Sequence, residues 1–379
     1  MNNFFICHRD YLDDRDNFRE GGGDTIKNFL FKDKYFSLEM PLKRKKSHTY
    51  SFFLMEIFRE NKKILFKYSS KNNITALNYF FVIILLLRYF HKRKIKLRLC
   101  LAIDPLSAFI GILCKYLFGG KVFFHITDYS TNRFHNFFLN LLYKFFFYFS
   151  FYVSDYVSAP SKKILTKFTK KNKNFYYIPN SPSNSFNQKR IYFKNNILLL
   201  TPKIDHGVDL NTLIDAILLI KNNFSDLKVF VCGNFVSDEQ KKEYLLKIVK
   251  NKLENNIIFT GLINSSNDLN KLALNSSIGL TCYRRTKSHT YYEYGDSLKI
   301  RKYAYYGLPI LSEGFTSTAH EARLNKCCFI YNNCKDLAKK IKYLLANKKK
   351  LRKLSINALN WHEKNKKILF LQKIILSVN

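Results

Sequence analysis

The sequence predicts an α/β protein of two doubly wound domains that face a central cleft, with a helix at the C-terminal end. Three observations carry this. Strand-like and helix-like patterns alternate along the chain. A polar stretch rich in Ser and Asn interrupts them near the middle, and the alternation then starts again. With 379 residues, 47% of them hydrophobic, the chain can bury two cores of ordinary domain size.

In the first series, short apolar runs at residues 4–7, 64–68, 98–103, 122–126, 156–159 and 176–179 read as strands. Longer apolar stretches at 79–90, 106–117 and 136–151 read as helices between them. Such alternation predicts a parallel sheet with helices on both faces. Residues 179–195, PNSPSNSFNQKRIYFKN, have the composition of a linker. The second series places strands at 197–200, 228–231, 256–259, 278–282, 309–312 and 328–331. Helices are expected at 210–222, 239–251, 269–275, 335–345 and from 349 onward. The resulting division is a first domain over 1–180, a linker over 181–195 and a second domain over 196–360. A C-terminal helix over 361–379 has the first domain as one surface to pack on.

Residues 295–311, GDSLKIRKYAYYGLPIL, form the most informative stretch. Asp296 or Ser297 can cap a helix by accepting bonds from its free amides. Gly307 can take the left-handed conformation that stops it, and Pro309 prevents its restart. Lys299 then sits in the first turn, where the helix already carries partial positive charge. A cation there makes sense if an anion binds at the same place.

The formal net charge of +36 is spread over both halves of the chain. It suits an anionic surface, or it reflects a bias towards Lys and Asn. No recognised nucleic-acid motif accompanies it, and no nucleic-acid partner is expected. The eight cysteines include no C-x-x-C pair or zinc spacing, which fits a reduced compartment. No Asp-x-Asp occurs; the near miss is DDRD at 13–16. No metal ligand and no cofactor are expected. The N-terminal residues turn acidic soon after an apolar start, unlike a signal peptide. The apolar run at 79–87 is too short to span a bilayer, and the run at 137–153 is interrupted by Lys144. Both read as buried or surface-touching helices.

Four stretches together resemble the GT-B fold glycosyltransferases, specifically the retaining bacterial family four, or group 1. Lys299, Ile300, Tyr303, Gly307, Leu308, Pro309 and Ile310 match the family pattern K-I-x-E-Y-x-x-x-G-L-P-V-I. The segment HITDYSTNRF from His125 is similar to an Asp-Tyr-Ser-Pro-x-Arg-Phe element of one bacterial branch. NNIIFTGLI at 255–263 and YYIPNSP at 176–182 resemble two further family elements. Their order and spacing strengthen the match. The resemblance implies two Rossmann-like domains and transfer of a sugar from a nucleotide-sugar donor to a glycan, with retention of configuration and no metal.

By that resemblance, the helix bearing Lys299 points its N-terminus at the donor diphosphate, with Ser297, Leu298 and Tyr303 around the donor; Glu293 or Asp296 is the candidate carboxylate nearby, neither standing in the family's register. Lys203 and His206 match the phosphate-binding loop after the first strand of the second domain. Gly233, Gly261 and Leu262 belong to the donor-side loops. In the first domain, Gly22 and Gly23 of REGGGD lie where the backbone approaches the donor, and His125 and Asp128 are expected to position substrate. A core histidine bonded within the fold is the alternative for His125. The sequence departs from the family at Lys302, where Glu normally holds the ribose; Lys cannot accept hydrogen bonds. This leaves two other readings open, an inactive relative acting as a binding subunit and a sugar-nucleotide epimerase. The expected partners are a nucleotide-sugar donor, a glycan or lipid-linked acceptor and an anionic membrane surface. The expected location is cytoplasmic, peripheral on the inner face of the membrane.

Overall fold

The computed structural model describes residues 1–9, 22–41, 50–59, 61–70, 75–130, 133–134, 136–168, 174–186, 194–284 and 291–378. The chain divides into two units. Residues 1–178 together with 371–379 form the first, and residues 179–370 form the second.

The first unit runs β1 (Asn2–Arg9), α1 (Gly22–Leu30), β2 (Tyr35–Pro41), β3 (Tyr50–Phe58), β4 (Asn61–Ser70), α2 (Thr75–Lys92), β5 (Leu97–Ala102), α3 (Pro105–Phe118), β6 (Lys121–His125), α4 (Phe137–Val153), β7 (Tyr156–Ala159), α5 (Lys162–Phe168) and β8 (Phe175–Tyr177). Among the described residues its eight strands lie in the order β4-β3-β2-β1-β5-β6-β7-β8. The expectation of a wholly parallel sheet needs correction. The pairs β2–β3 and β3–β4 are antiparallel. The neighbours β3 and β4 are joined by a short reversal through Arg59, whose φ is +55°, so no crossover helix separates them. Helices α2, α3 and α4 pack side by side on one core built from Val82, Leu86, Phe90, Ile110 and Ile112.

The second unit continues with β9 (Asn196–Ile204), α6 (Leu210–Ile220), a 3-10 turn at Lys221–Asn223, β10 (Lys228–Phe235), α7 (Asp238–Lys250), β11 (Ile257–Phe259), α8 (Ser266–Leu274), β12 (Ile278–Leu280), α9 (Tyr291–Tyr294), α10 (Leu298–Tyr305), β13 (Ile310–Glu313), α11 (Ser317–Leu324), β14 (Cys328–Tyr331), α12 (Cys334–Ala346) and α13 (Lys348–Lys364). Among the described residues its six strands are all parallel, in the order β11-β10-β9-β12-β13-β14. Helix α14 (Lys367–Val378) starts in this unit and ends in the first, where Leu371 and Ile374 are buried with Phe5, Ile26 and Leu101.

Residues at the start of the expected linker pack into the second unit. The His362 ring accepts from the Ser181 hydroxyl at 3.1 Å and donates to the Asn184 carbonyl at 2.8 Å. Among the described residues, no helix is long and apolar enough to cross a membrane.

Candidate active site

Each sheet reverses its winding once. In the second unit the reversal lies between β9, which leads outward to β10, and β12, which leads the other way to β13. The carboxyl ends of strands at such a point form the usual ligand crevice of a doubly wound sheet. Leu200, Thr201, Val208, Thr281, Tyr283 and Lys299 line a narrow crevice there.

Helix α10 starts beside this crevice, and its cap takes the form expected from the residues. The Ser297 hydroxyl accepts from the Ile300 amide, while the Ser297 amide donates to the Thr318 hydroxyl at 2.7 Å. At the other end Gly307 has φ +62°. Its amide donates to Ala304 and the Leu308 amide to Tyr303, so two terminal carbonyls are satisfied by a left-handed cap. Half-buried Lys299 therefore lies in the first turn, with its Nζ 4.5 Å from the centre of the Tyr283 ring. Burial pushes its amine down to about 8, against the pull of the Glu313 and Asp205 carboxylates.

Tyr283 ties these parts together, and nothing in its sequence context marks it. Its hydroxyl bonds the capping Ser297 at 2.9 Å. Its amide donates to the buried carboxylate of Glu313, which also accepts from the Thr281 hydroxyl at 2.6 Å. Burial raises the Glu313 carboxyl despite these bonds. Val208 forms a bridge with Tyr283, and the Arg284 amide donates to Gly207, so the loop bearing exposed His206 is stitched beside Lys299.

Lys203 lies inside β9 rather than in the loop after it, because the strand runs on to Ile204. Its exposed side chain stands opposite Asn234 in the ladder, whose side-chain Oδ1 accepts from the Leu262 backbone amide at 3.0 Å. Gly261 precedes it with φ +70°. Gly233 makes the bulge that allows this alignment. A Cβ there would lie 1.6 Å from the Thr201 carbonyl oxygen. Lys299, Ser297, exposed Leu298 and the His206 loop thus gather at one end of the sheet. Lys203, Gly261 and Leu262 gather along the adjoining strands.

Three expected site residues turn inward. Asp296 accepts from Arg301 at 3.0 Å, from the Thr318 hydroxyl at 2.9 Å and from the Asn180 amide at 2.7 Å, and its side chain is 1% exposed. A carboxylate so engaged supports the helix start and does not reach a ligand. Tyr303 is fully buried; its hydroxyl donates to Leu280 and accepts from the Leu200 amide, both at 2.7 Å. It bridges β12 and β9, and Gly279 leaves room for its ring. His125, 1% exposed, bonds the Ser158 hydroxyl at 2.8 Å across the β6–β7 pair. Glu293 is half-buried in α9.

In the first unit Gly22 and Gly23 begin α1 rather than a free turn, and Gly23 packs against Ile103. The rest of REGGGD before Gly22, and the DDRD stretch, lie outside the described residues. Asp128 is exposed after β6. The winding of this sheet reverses between β1 and β5. There the sequence reading missed His8, whose ring bonds Asp104 at 2.6 Å and the Tyr79 hydroxyl at 2.8 Å. Beside it Asp24 accepts from Arg9 at 2.6 Å and Lys27 at 2.9 Å. The His8 contacts join residues far apart in sequence, so no local motif announces them. Among the described residues, no three of His, Cys, Asp or Glu converge as a metal site would require.

Residues 183–361 match the model of the family described as glycosyl transferases group 1. No curated protein matches the sequence. Solved structures do match over the whole chain. Anabaena Alr3699/HepE in complex with UDP is 13% identical, with 100% of this chain and 99% of that one covered and a TM-score of 0.69. A Rickettsia africae glycosyltransferase is 13% identical over 100% and 98%, with a TM-score of 0.65. A mutant of S. aureus TarM, in complex with fondaparinux, alpha-GlcNAc-glycerol and UDP, is 13% identical over 100% of both chains, with a TM-score of 0.61. These likenesses give the fold of both units, and the family match gives the kind of second unit. The chain thus shares the two-unit fold of these structures, and residues 183–361, within its second unit, are similar to the group 1 glycosyl transferases.

Proposed function

We propose that the protein moves a sugar from a nucleoside diphosphate donor to a glycan precursor of the cell surface, with retention of configuration. The observation that carries this reading is the capped start of α10. It holds Lys299 against the Tyr283 ring at the winding reversal of the family-matched unit. Free amides of that turn and the Lys299 ammonium can stabilise the negative charge that grows on the departing diphosphate. Lys203 and His206 are exposed near the same strand ends and can add to it. With cations in these places the diphosphate needs no metal, and turnover is expected to survive EDTA.

The structures of HepE and TarM hold UDP, so UDP-sugars are the first donors to test. The experiment is incubation with a panel of nucleotide sugars and lipid-linked acceptors, read as release of nucleoside diphosphate. Release from one donor, with the product anomer matching the donor by NMR, is the expected result. Failure of every nucleotide to bind would sink the proposal.

We further infer attachment to the anionic inner face of a membrane, where lipid-linked acceptors are presented. Support comes from α2, α3 and α4. These neighbours expose Phe80, Phe81, Tyr116, Leu117, Phe137 and Phe138 in a strongly basic chain.

A further inference from the structure

We propose that the second unit carries another anion site, a groove along the edge strand β14 that takes a soluble chain of closely spaced phosphates. It lies at the opposite side of the sheet's β13–β14 half from the crevice strands β9 and β12. The cavity has a volume of about 610 Å³, within the range of roughly 300–1,000 Å³ usual for ligand sites. Arg323, Lys326, Lys340, Lys350 and Lys353 line it, and no acidic residue does.

Lys340 is neutralised by Asp336 at 2.6 Å. Arg323, Lys326, Lys350 and Lys353 have no acidic partner among the described residues. Arg323, Lys326 and Lys353 are exposed and Lys350 half-buried; four cations around one concavity repel each other, and the concave shape focuses their field more than a convex surface would. A ligand with several charges close together relieves it best. Arg323 offers a planar fork that suits a phosphoryl group, and the lysines act as point charges beside it. The groove is also built, not merely charged. Lys350 is half-buried and lies 5.7 Å from the centre of the Phe329 ring on β14. The Asn357 amide of α13 holds the Lys326 carbonyl at 2.8 Å, which fixes the α11 end against α13.

The test uses the full chain carrying Lys299→Ala, so that the donor crevice is weakened, and tripolyphosphate as the probe in isothermal titration. One site is expected. Its affinity should fall at least tenfold when Lys350→Gln and Lys353→Gln are added, and also as salt rises. A control pair, Lys241→Gln with Lys242→Gln on the exposed face of α7, removes the same charge elsewhere and should leave the affinity unchanged. Equal losses in both pairs would reduce the effect to net charge and overturn the groove, as would absence of binding. Binding to phosphatidylglycerol vesicles that needs Lys350 and Lys353, without binding of tripolyphosphate, would overturn a soluble chain as the ligand. Nucleotide-sugar turnover of the groove variant, measured separately, should equal wild type.

Discussion

Lys299 is the residue on which the proposed chemistry rests most heavily. Lys299→Ala should keep the fold and lose about 3 kcal/mol of transition-state stabilisation, roughly a hundredfold in kcat/KM or more. Its lowered amine adds a pH signature. The useful form is the cation, present below a value of about 8 and lost above it, so kcat/KM should decline as pH rises through that region. Lys299→Arg, charged throughout, should flatten this limb; a limb that persists belongs to another group. Lys302 offers a second test. Asp296, one of the two carboxylates close by in sequence that could replace the ribose Glu, is occupied by Arg301 and Thr318. Lys302→Glu should therefore tighten nucleoside diphosphate binding by about 1 kcal/mol. Unchanged affinity by calorimetry would show that the ribose is held elsewhere.

At the scale of elements, backbone geometry at two glycines separates a mildly strained substitution from a severely clashing one. Gly307→Ala forces a side chain into a left-handed cap and against Leu359, and should lower stability by about 1 kcal/mol. Gly233→Ala sets a Cβ onto the Thr201 carbonyl and should cost about 3 kcal/mol or more, with the β9–β10 pairing disturbed. Thermal melts of the two variants should rank them in that order. These devices were unequally visible in the sequence. The α10 cap and its Gly stop were legible because each end is decided by residues within four positions of it. The strands β2 and β3 were missed because their partners are set by sheet pairing, which short alternating runs do not reveal. For the same reason Tyr303 looked like a ligand contact. Its burial depends on Gly279 and on two strands over twenty residues away. Helix α11, which supplies Thr318 beneath the site, has a polar, weakly periodic sequence and was passed over.

For the whole molecule, the charge and the apolar helices make a joint expectation. Sedimentation with anionic vesicles should recover the protein at low salt. Four or five basic residues near the surface give about 1 kcal/mol each, so recovery should fall as salt rises. Replacement of Phe137 and Phe138 by Ser should weaken binding without affecting the fold, since both side chains are exposed. Equal recovery with neutral and anionic vesicles would remove the membrane from this account.

The path of α14 bears on the order in which the protein is made. Leu371 and Ile374 complete the core around Phe5 and Leu101, yet every residue of the second unit is translated before them. The second unit is in effect an insertion within the first. It can close while still being synthesised, whereas the first must wait with part of its core open, reversing the usual precedence of the N-terminal domain. A chain stopped after Phe370 should accordingly give a second unit with normal stability beside a first unit that melts early and binds chaperones.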